Sequence, residues 1–165
     1  SEMCIRDSNK GMAYWLMKSE PSVFSIDDLK REGQTCWDGV RNYQARNFMR
    51  DQMKLSDRVL FYHSNATPTG VAGIAEIVRE AYPDHTAFDP ADPHYDPKSD
   101  PNAPTWVMVD IGYVATFPRF VTLDEIKAEP GLAGIVVAQK GSRLSVQPVS
   151  EEHFKFLCML GKHTL

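Results

Sequence analysis

The sequence predicts one α+β domain, a small, curved or barrel-like sheet decorated by helices. Its 165 residues fit a single domain and can bury a sizeable core. Short apolar segments rich in aromatic and β-branched residues recur along the chain, as strands do. Between them stand helix starts marked by capping residues. These do not follow a regular strand–helix alternation, which argues against a doubly wound parallel sheet.

Residues 1–11 are polar and irregular and lack the apolar core of a signal peptide. They read as a disordered leader or an expression remnant, and the domain is taken as residues 12–165. Residues 13–17 form a first strand. Ser25, with Asp28 three residues on, is a capping box that satisfies the free amides at a helix start, and Gly33 is the stop. A second helix beginning near Asn42 puts Ala45, Phe48, Met49 and Met53 on one buried stripe and turns Arg46, Asn47 and Arg50 outward. Residues 58–63 and 71–78 read as strands joined by the turn residues Asn65, Thr67, Pro68 and Gly70. Gly73 marks a bulge or a close backbone approach. Residues 82–105 hold Pro83, Pro90, Pro93, Pro97, Pro101 and Pro104. Neither a helix nor a central strand tolerates that density, so a long surface loop is expected. Strand character returns over 106–114. Thr122 and Glu125 repeat the capping box before a short helix ending near Pro130. Residues 143–147 form a last short strand, and Ser150 caps a final helix that packs Phe154, Leu157 and Cys158.

Charge and motif content exclude several functions. The formal net charge is -4, which argues against a protein that coats duplex DNA through many Lys and Arg contacts to phosphate. A local basic rim around one pocket remains compatible with it. Cys4, Cys36 and Cys158 stand far apart, are odd in number and form no CxxC pair, so neither a disulfide framework nor a zinc site is indicated. No apolar run approaches the ~18 residues of a membrane helix. There is no GxGxxG, GxxxxGK[ST], HExxH, GxSxG or EF-hand loop. His85 and His94 stand among Asp84, Asp89, Asp92 and Asp96, but without metal-ligand spacing, and they read as a solvated surface. No metal and no cofactor are expected, and a monomer is the default.

Four stretches place aromatics beside hydrogen-bonding groups: residues 14–21, 37–47, 61–65 and 143–148. In the bland reading Trp15, Trp37, Phe61 and Tyr62 are core, and the polar residues are turns and caps. In the sharper reading they bind a base taken out of its stack, which needs flat apolar groups on its faces and fixed donors and acceptors at its edge. The segment Gly39-Val40-Arg41-Asn42, leading into a helix, offers free amides to a phosphate, with Arg41 and Arg46 adding cationic contacts at the same end.

These stretches closely resemble the EVE domain, over nearly the whole chain from about residue 14 to residue 160. The runs 37–47 and 143–148 carry the resemblance, with Phe61-Tyr62-His63-Ser64-Asn65, Tyr82-Pro83-Asp84 and the loop element His94-Tyr95-Asp96-Pro97. The resemblance implies a PUA-like fold, a small β-barrel with flanking helices, related to YTH and ASCH domains. It also implies a non-catalytic reader of modified bases in DNA or RNA, with cytosine derivatives such as 5-methylcytosine favoured. By the same resemblance Trp15 and Trp37 would stack on the base, and Lys18, Ser19 and Asn42 would contact its edge or the backbone, with Val40 in the same wall. Arg41, Tyr43, Arg46, His63 and Ser64 would line the mouth, and Arg143 and Ser145 would close the site. The stretch between Pro130 and Arg143 is short for the animal members, which favours a bacterial source. The expected address is then the cytoplasm, or the nucleus if the source is eukaryotic. Two other functions stay open. One is an enzyme acting on a modified base or nucleotide, with Lys18, Glu20 and Asp38 as acid–base candidates; the other is a protein-interaction module.

Overall fold

The computed structural model describes residues 13–100, 105–139 and 144–163. The expected leader lies outside the described residues. The strands are β1 (Tyr14–Ser19), β2 (Gln34–Trp37), β3 (Arg58–His63), β4 (Gly70–Pro83), β5 (Val107–Thr122) and β6 (Val146–Val149). They form one mixed six-stranded sheet in the order β2-β5-β4-β3-β1-β6. β1 runs parallel to β3, whereas its pairing with β6 and the pairings β3–β4, β4–β5 and β2–β5 are antiparallel. The helices are α1 (Ile26–Glu32), α2 (Tyr43–Asn47), α3 (Leu123–Ala128) and α4 (Glu151–Leu160). The α+β class is therefore as predicted. The barrel is not: among the described residues no ladder joins β2 to β6, and the sheet stays open.

Both faces of the sheet are covered, which explains the unbroken apolar runs in β1 and β3. Alternate residues of a strand point to opposite faces. Trp15, Met17 and Phe61 enter one cluster with Leu29 of α1, Ala45 of α2 and Met49 just beyond it. Leu16 and Leu60 enter the other with Ile126 of α3 and with Phe154 and Leu157 of α4. Each such side chain, fully buried, contributes roughly 1.5–3 kcal/mol.

The predicted caps are present. Ser25 and Thr122 each close a reciprocal capping box, with Asp28 and Glu125, and Asn42 and Ser150 cap α2 and α4. The predicted second helix is split into α2 and a π-helical turn, Phe48–Gln52. The four residues of β2 escaped prediction because Gln-Thr-Cys-Trp carries no apolar alternation. β2 is an edge strand held by β5 alone. β4 and β5 run past their predicted ends because they pair with each other from Gly70↔Thr122 to Pro83↔Val107, through several bulges. The last strand, Val146–Val149, begins three residues and ends two residues further on than expected.

Candidate functional site

A cavity of about 580 Å³ opens where the end of β1, the end of β2 and the segment 38–41 meet His94 and Ser145. Phe24 and Val23, from the connection into α1, complete its apolar lining with the half-buried Trp37. Trp37 is fixed edge-on against Phe61, at 5.8 Å and 90° between rings. The serine hydroxyl of Ser19 donates to the Phe24 carbonyl at 2.6 Å, which ties the end of β1 to that connection.

One wall of the cavity is built around Asp84, which is wholly buried. Its carboxylate accepts from the Gly39 amide (2.8 Å), Arg41 Nη1 (3.0 Å), and the amide (2.9 Å) and hydroxyl (2.6 Å) of Thr86. Desolvation alone would raise the Asp84 pKa. The hydrogen bonds from Thr86, Gly39 and Arg41 outweigh it and hold the carboxyl below its usual value. Every guanidinium nitrogen of Arg41 is committed. Nε and Nη2 donate to the His94 carbonyl, Nη1 to the Val40 carbonyl and Asp84, and Nη2 also to the Thr86 hydroxyl. Arg41 also lies 5.4 Å from the Trp106 ring centre, and the Trp106 indole donates to Asp96 at 2.7 Å. Gly39 adopts φ +78°, and a Cβ there would approach the His94 imidazole to 2.7 Å. The segment 38–41 is thus locked onto the proline-rich loop. That loop folds on its own aspartates: Asp84 caps a 3₁₀ turn (His85–Phe88), while Asp92 and Asp96 accept from the amides two residues on.

At the lip of the cavity two charges are uncommitted among the described residues. Asp38 makes no hydrogen bond or ion pair among the described residues. Desolvation first, and the Asp84 carboxylate second, push its carboxyl above the ordinary range, with His94 opposing in part. The Lys18 ammonium sits 5.9 Å from the Tyr62 ring centre, and partial burial pulls its pKa below that of a free lysine. Glu20, in contrast, accepts from the Asn65 side chain at 2.5 Å.

Of the candidate residues that the structure describes, Lys18, Ser19, Trp37, Val40, Arg41 and Ser145 line this cavity, and Trp15, Asn42, Tyr43, Arg46, His63 and Ser64 do not. Trp15 is 2% exposed; it packs on Phe48 and donates its indole N–H to Asp57 at 3.1 Å. It is a core residue outside the cavity lining, not the base-stacking residue expected. Asn42 caps α2 through the Ala45 amide. Tyr43, 61% exposed, rests on Trp106 with ring centres 4.9 Å apart, and Arg46 lies 5.0 Å over Tyr43. His63 accepts from the Ile26 amide at 3.1 Å, and burial lowers its pKa, which suits a neutral acceptor at the start of α1. The Ser64 amide donates to the Ser19 carbonyl. Arg143 lies outside the described residues. Arg41 is present at the site as a brace rather than as a free cation. Phe24, Asp38, Glu20 and His94 were not among the candidate binding residues; the quoted strings held Asp38, Glu20 and His94, but their spacing did not announce a shared cavity. Phe24 carried no signal.

The fold and site together define an α+β domain with a ligand-sized cavity beside the end of its first strand. Residues 13–160 match the model of the EVE domain, and the chain belongs to that family. It is 48% identical over 165 residues to rat thymocyte nuclear protein 1, covering 89% of this chain and 73% of that protein. A crystal structure of a Pseudomonas syringae protein superposes with a TM-score of 0.87 at 48% identity, covering 90% of this chain and 99% of the other. Human thymocyte nuclear protein 1, solved in complex with DNA containing 5-methylcytosine, gives a TM-score of 0.85 at 45% identity, with 93% and 99% covered.

Proposed function

We propose that this protein is a non-catalytic reader that takes a flipped, modified nucleobase of DNA or RNA, a cytosine derivative, into the cavity beside the end of β1. The observation that carries the reading is the cavity itself. Its ~580 Å³ falls in the range of small-ligand sites, and its lining sets Trp37, Phe24 and Val23 beside polar and charged edge groups. A base removed from its stack needs both. The human relative bound to 5-methylcytosine-containing DNA supports the choice of base. The net charge of -4 fits a protein that grips one nucleotide and few phosphates, with a shallow salt dependence. No helix among the described residues is long and apolar enough to cross a membrane. The protein would work in the cytoplasm of a bacterium, the source that the short 130–143 stretch favours, or in the nucleus of a eukaryote.

Tryptophan-fluorescence titration tests the reading, with short DNA and RNA strands carrying one cytosine, 5-methylcytosine or 5-hydroxymethylcytosine. Quenching selective for one modified base is the expected result and identifies the polymer as well. Equal, weak binding of every strand by folded protein defeats the proposal.

A further inference from the structure

Several polar groups of the cavity lining are committed inside the protein. Arg41 and Asp84 are saturated by each other and by neighbouring backbone, Ser19 donates to Phe24, and Glu20 is held by Asn65. Turning Arg41 or Asp84 toward a ligand would break the wall, and the Ser19 hydroxyl hydrogen and one Glu20 oxygen are already engaged. Asp38 and Lys18 are different: both line the cavity, and neither makes a hydrogen bond or an ion pair through its side chain among the described residues. A ligand in the cavity can therefore hydrogen-bond to both side chains without displacing a protein partner.

We propose that Asp38 and Lys18 read the polar edge of the bound base. Asp38 accepts from an exocyclic amine and Lys18 donates to a ring carbonyl, so the cavity selects cytosine-type bases against thymine and uracil. This rests on the base-binding reading above and adds the residues that decide specificity within it. The pyrimidine edges supply the reason. Cytosine presents an amine at C4, an acceptor nitrogen at position 3 and a carbonyl at C2. Thymine presents a carbonyl at C4, an N–H at position 3 and the same C2 carbonyl. A carboxylate set against the C4 position gains a hydrogen bond from cytosine and meets a second acceptor in thymine, which leaves both groups unpaired. The C2 carbonyl is common to both, so Lys18 holds either base and does not choose between them. 5-Methylcytosine and thymine carry the same 5-methyl group on the same ring, and they differ only at the edge that Asp38 would face.

That pair makes the decisive probe. The wild-type chain, Asp38→Asn, Asp38→Ala and Lys18→Met are each titrated with short DNA and RNA strands carrying a single 5-methylcytosine or a single thymine base. Thermal unfolding of each variant confirms the fold, which Asp38 is not expected to support because its side chain makes no hydrogen bond or ion pair among the described residues. The wild type is expected to prefer 5-methylcytosine by about 10–100-fold, the usual worth of one well-placed edge contact. Both Asp38 variants are expected to lose that preference, whereas Lys18→Met weakens both strands alike and keeps it. A preference intact in both Asp38 variants overturns the assignment of Asp38 while leaving base reading in place. A preference lost in Lys18→Met, or its affinity unchanged, overturns the role given to Lys18. Failure of the wild type to bind any strand overturns base reading and this assignment together.

Discussion

Two groups of charges around the cavity are built on opposite electrostatic plans. In the wall of Asp84, Arg41 and Thr86 every charge has a partner inside the protein, and the buried carboxylate is held below its ordinary pKa. On the lip of Lys18 and Asp38 no such partner is present among the described residues, and both groups are pushed toward their neutral forms. Asp38 and Arg41 are three residues apart in the chain, yet one faces the ligand space uncommitted and the other is a brace. A paired charge serves the fold; an unpaired one in a cavity is available to a ligand.

Truncating the wall should have the largest effect. Asp84→Ala strips the acceptor from Arg41, Gly39 and Thr86 and strands a half-buried guanidinium, at a cost of about 3–5 kcal/mol in denaturant unfolding. Asp38→Ala, at the lip of the same cavity, should leave stability within about 0.5 kcal/mol. Equal losses at the two positions erase the distinction between wall and lip.

The tryptophans sharpen the same contrast. Trp15→Ala opens the core and should cost about 3–5 kcal/mol of stability. Trp37→Ala should leave the domain folded and weaken binding of a 5-methylcytosine strand by about 1–3 kcal/mol, the worth of one lost stack. Fluorescence titration alongside thermal unfolding separates the two effects.

Gly39→Ala should cost about 1–2 kcal/mol, since its φ of +78° disfavours a side chain and the new methyl would press on His94. Restored stability in a Gly39→Ala, His94→Ala double variant would assign the cost to the contact rather than to the backbone.

The smallest effect is in the pH profile, where the two carboxylates carry opposite signs. Asp84 has its folded pKa lowered, so its stabilisation is present above its unfolded value, about 3.9, and is lost as pH falls through the folded value. Asp38 has its folded pKa raised, so its contribution is full below the unfolded value and is lost as pH rises through the folded one. Unfolding curves between about pH 2 and 6 should therefore show Asp84→Asn flattening the acid limb and Asp38→Asn lifting stability slightly on the neutral side. The same slope change in both variants would count against the assignment of the two environments.

Much of the fold was legible because its signals are local. Ser25 with Asp28 and Thr122 with Glu125 announce helix starts through contacts three residues apart. The apolar runs in β1 and β3 announce strands buried on both faces. β2 was not legible, since four residues held at an edge by β5 need no apolar pattern of their own. The loop of residues 82–105 read as surface because proline density hides that Asp84 is a buried anchor.

The site divides in the same way. Family strings placed Lys18, Ser19, Trp37, Val40, Arg41 and Ser145 near one another without the structure, and the cavity brings those six together. Chemistry alone could not tell Trp15 from Trp37, because two indoles have equal claims to a stack until one is seen donating to Asp57 beneath the sheet. Nor could it tell Asp38 from Asp84. By itself the sequence determined the class, the family, the caps and the strings that meet at the cavity, since each is written in residues close along the chain. Tertiary structure alone decided which aromatic is core, which arginine is spent and which carboxylate is a buried anchor. Those answers depend on partners more than forty residues away, brought within about 3 Å by folding.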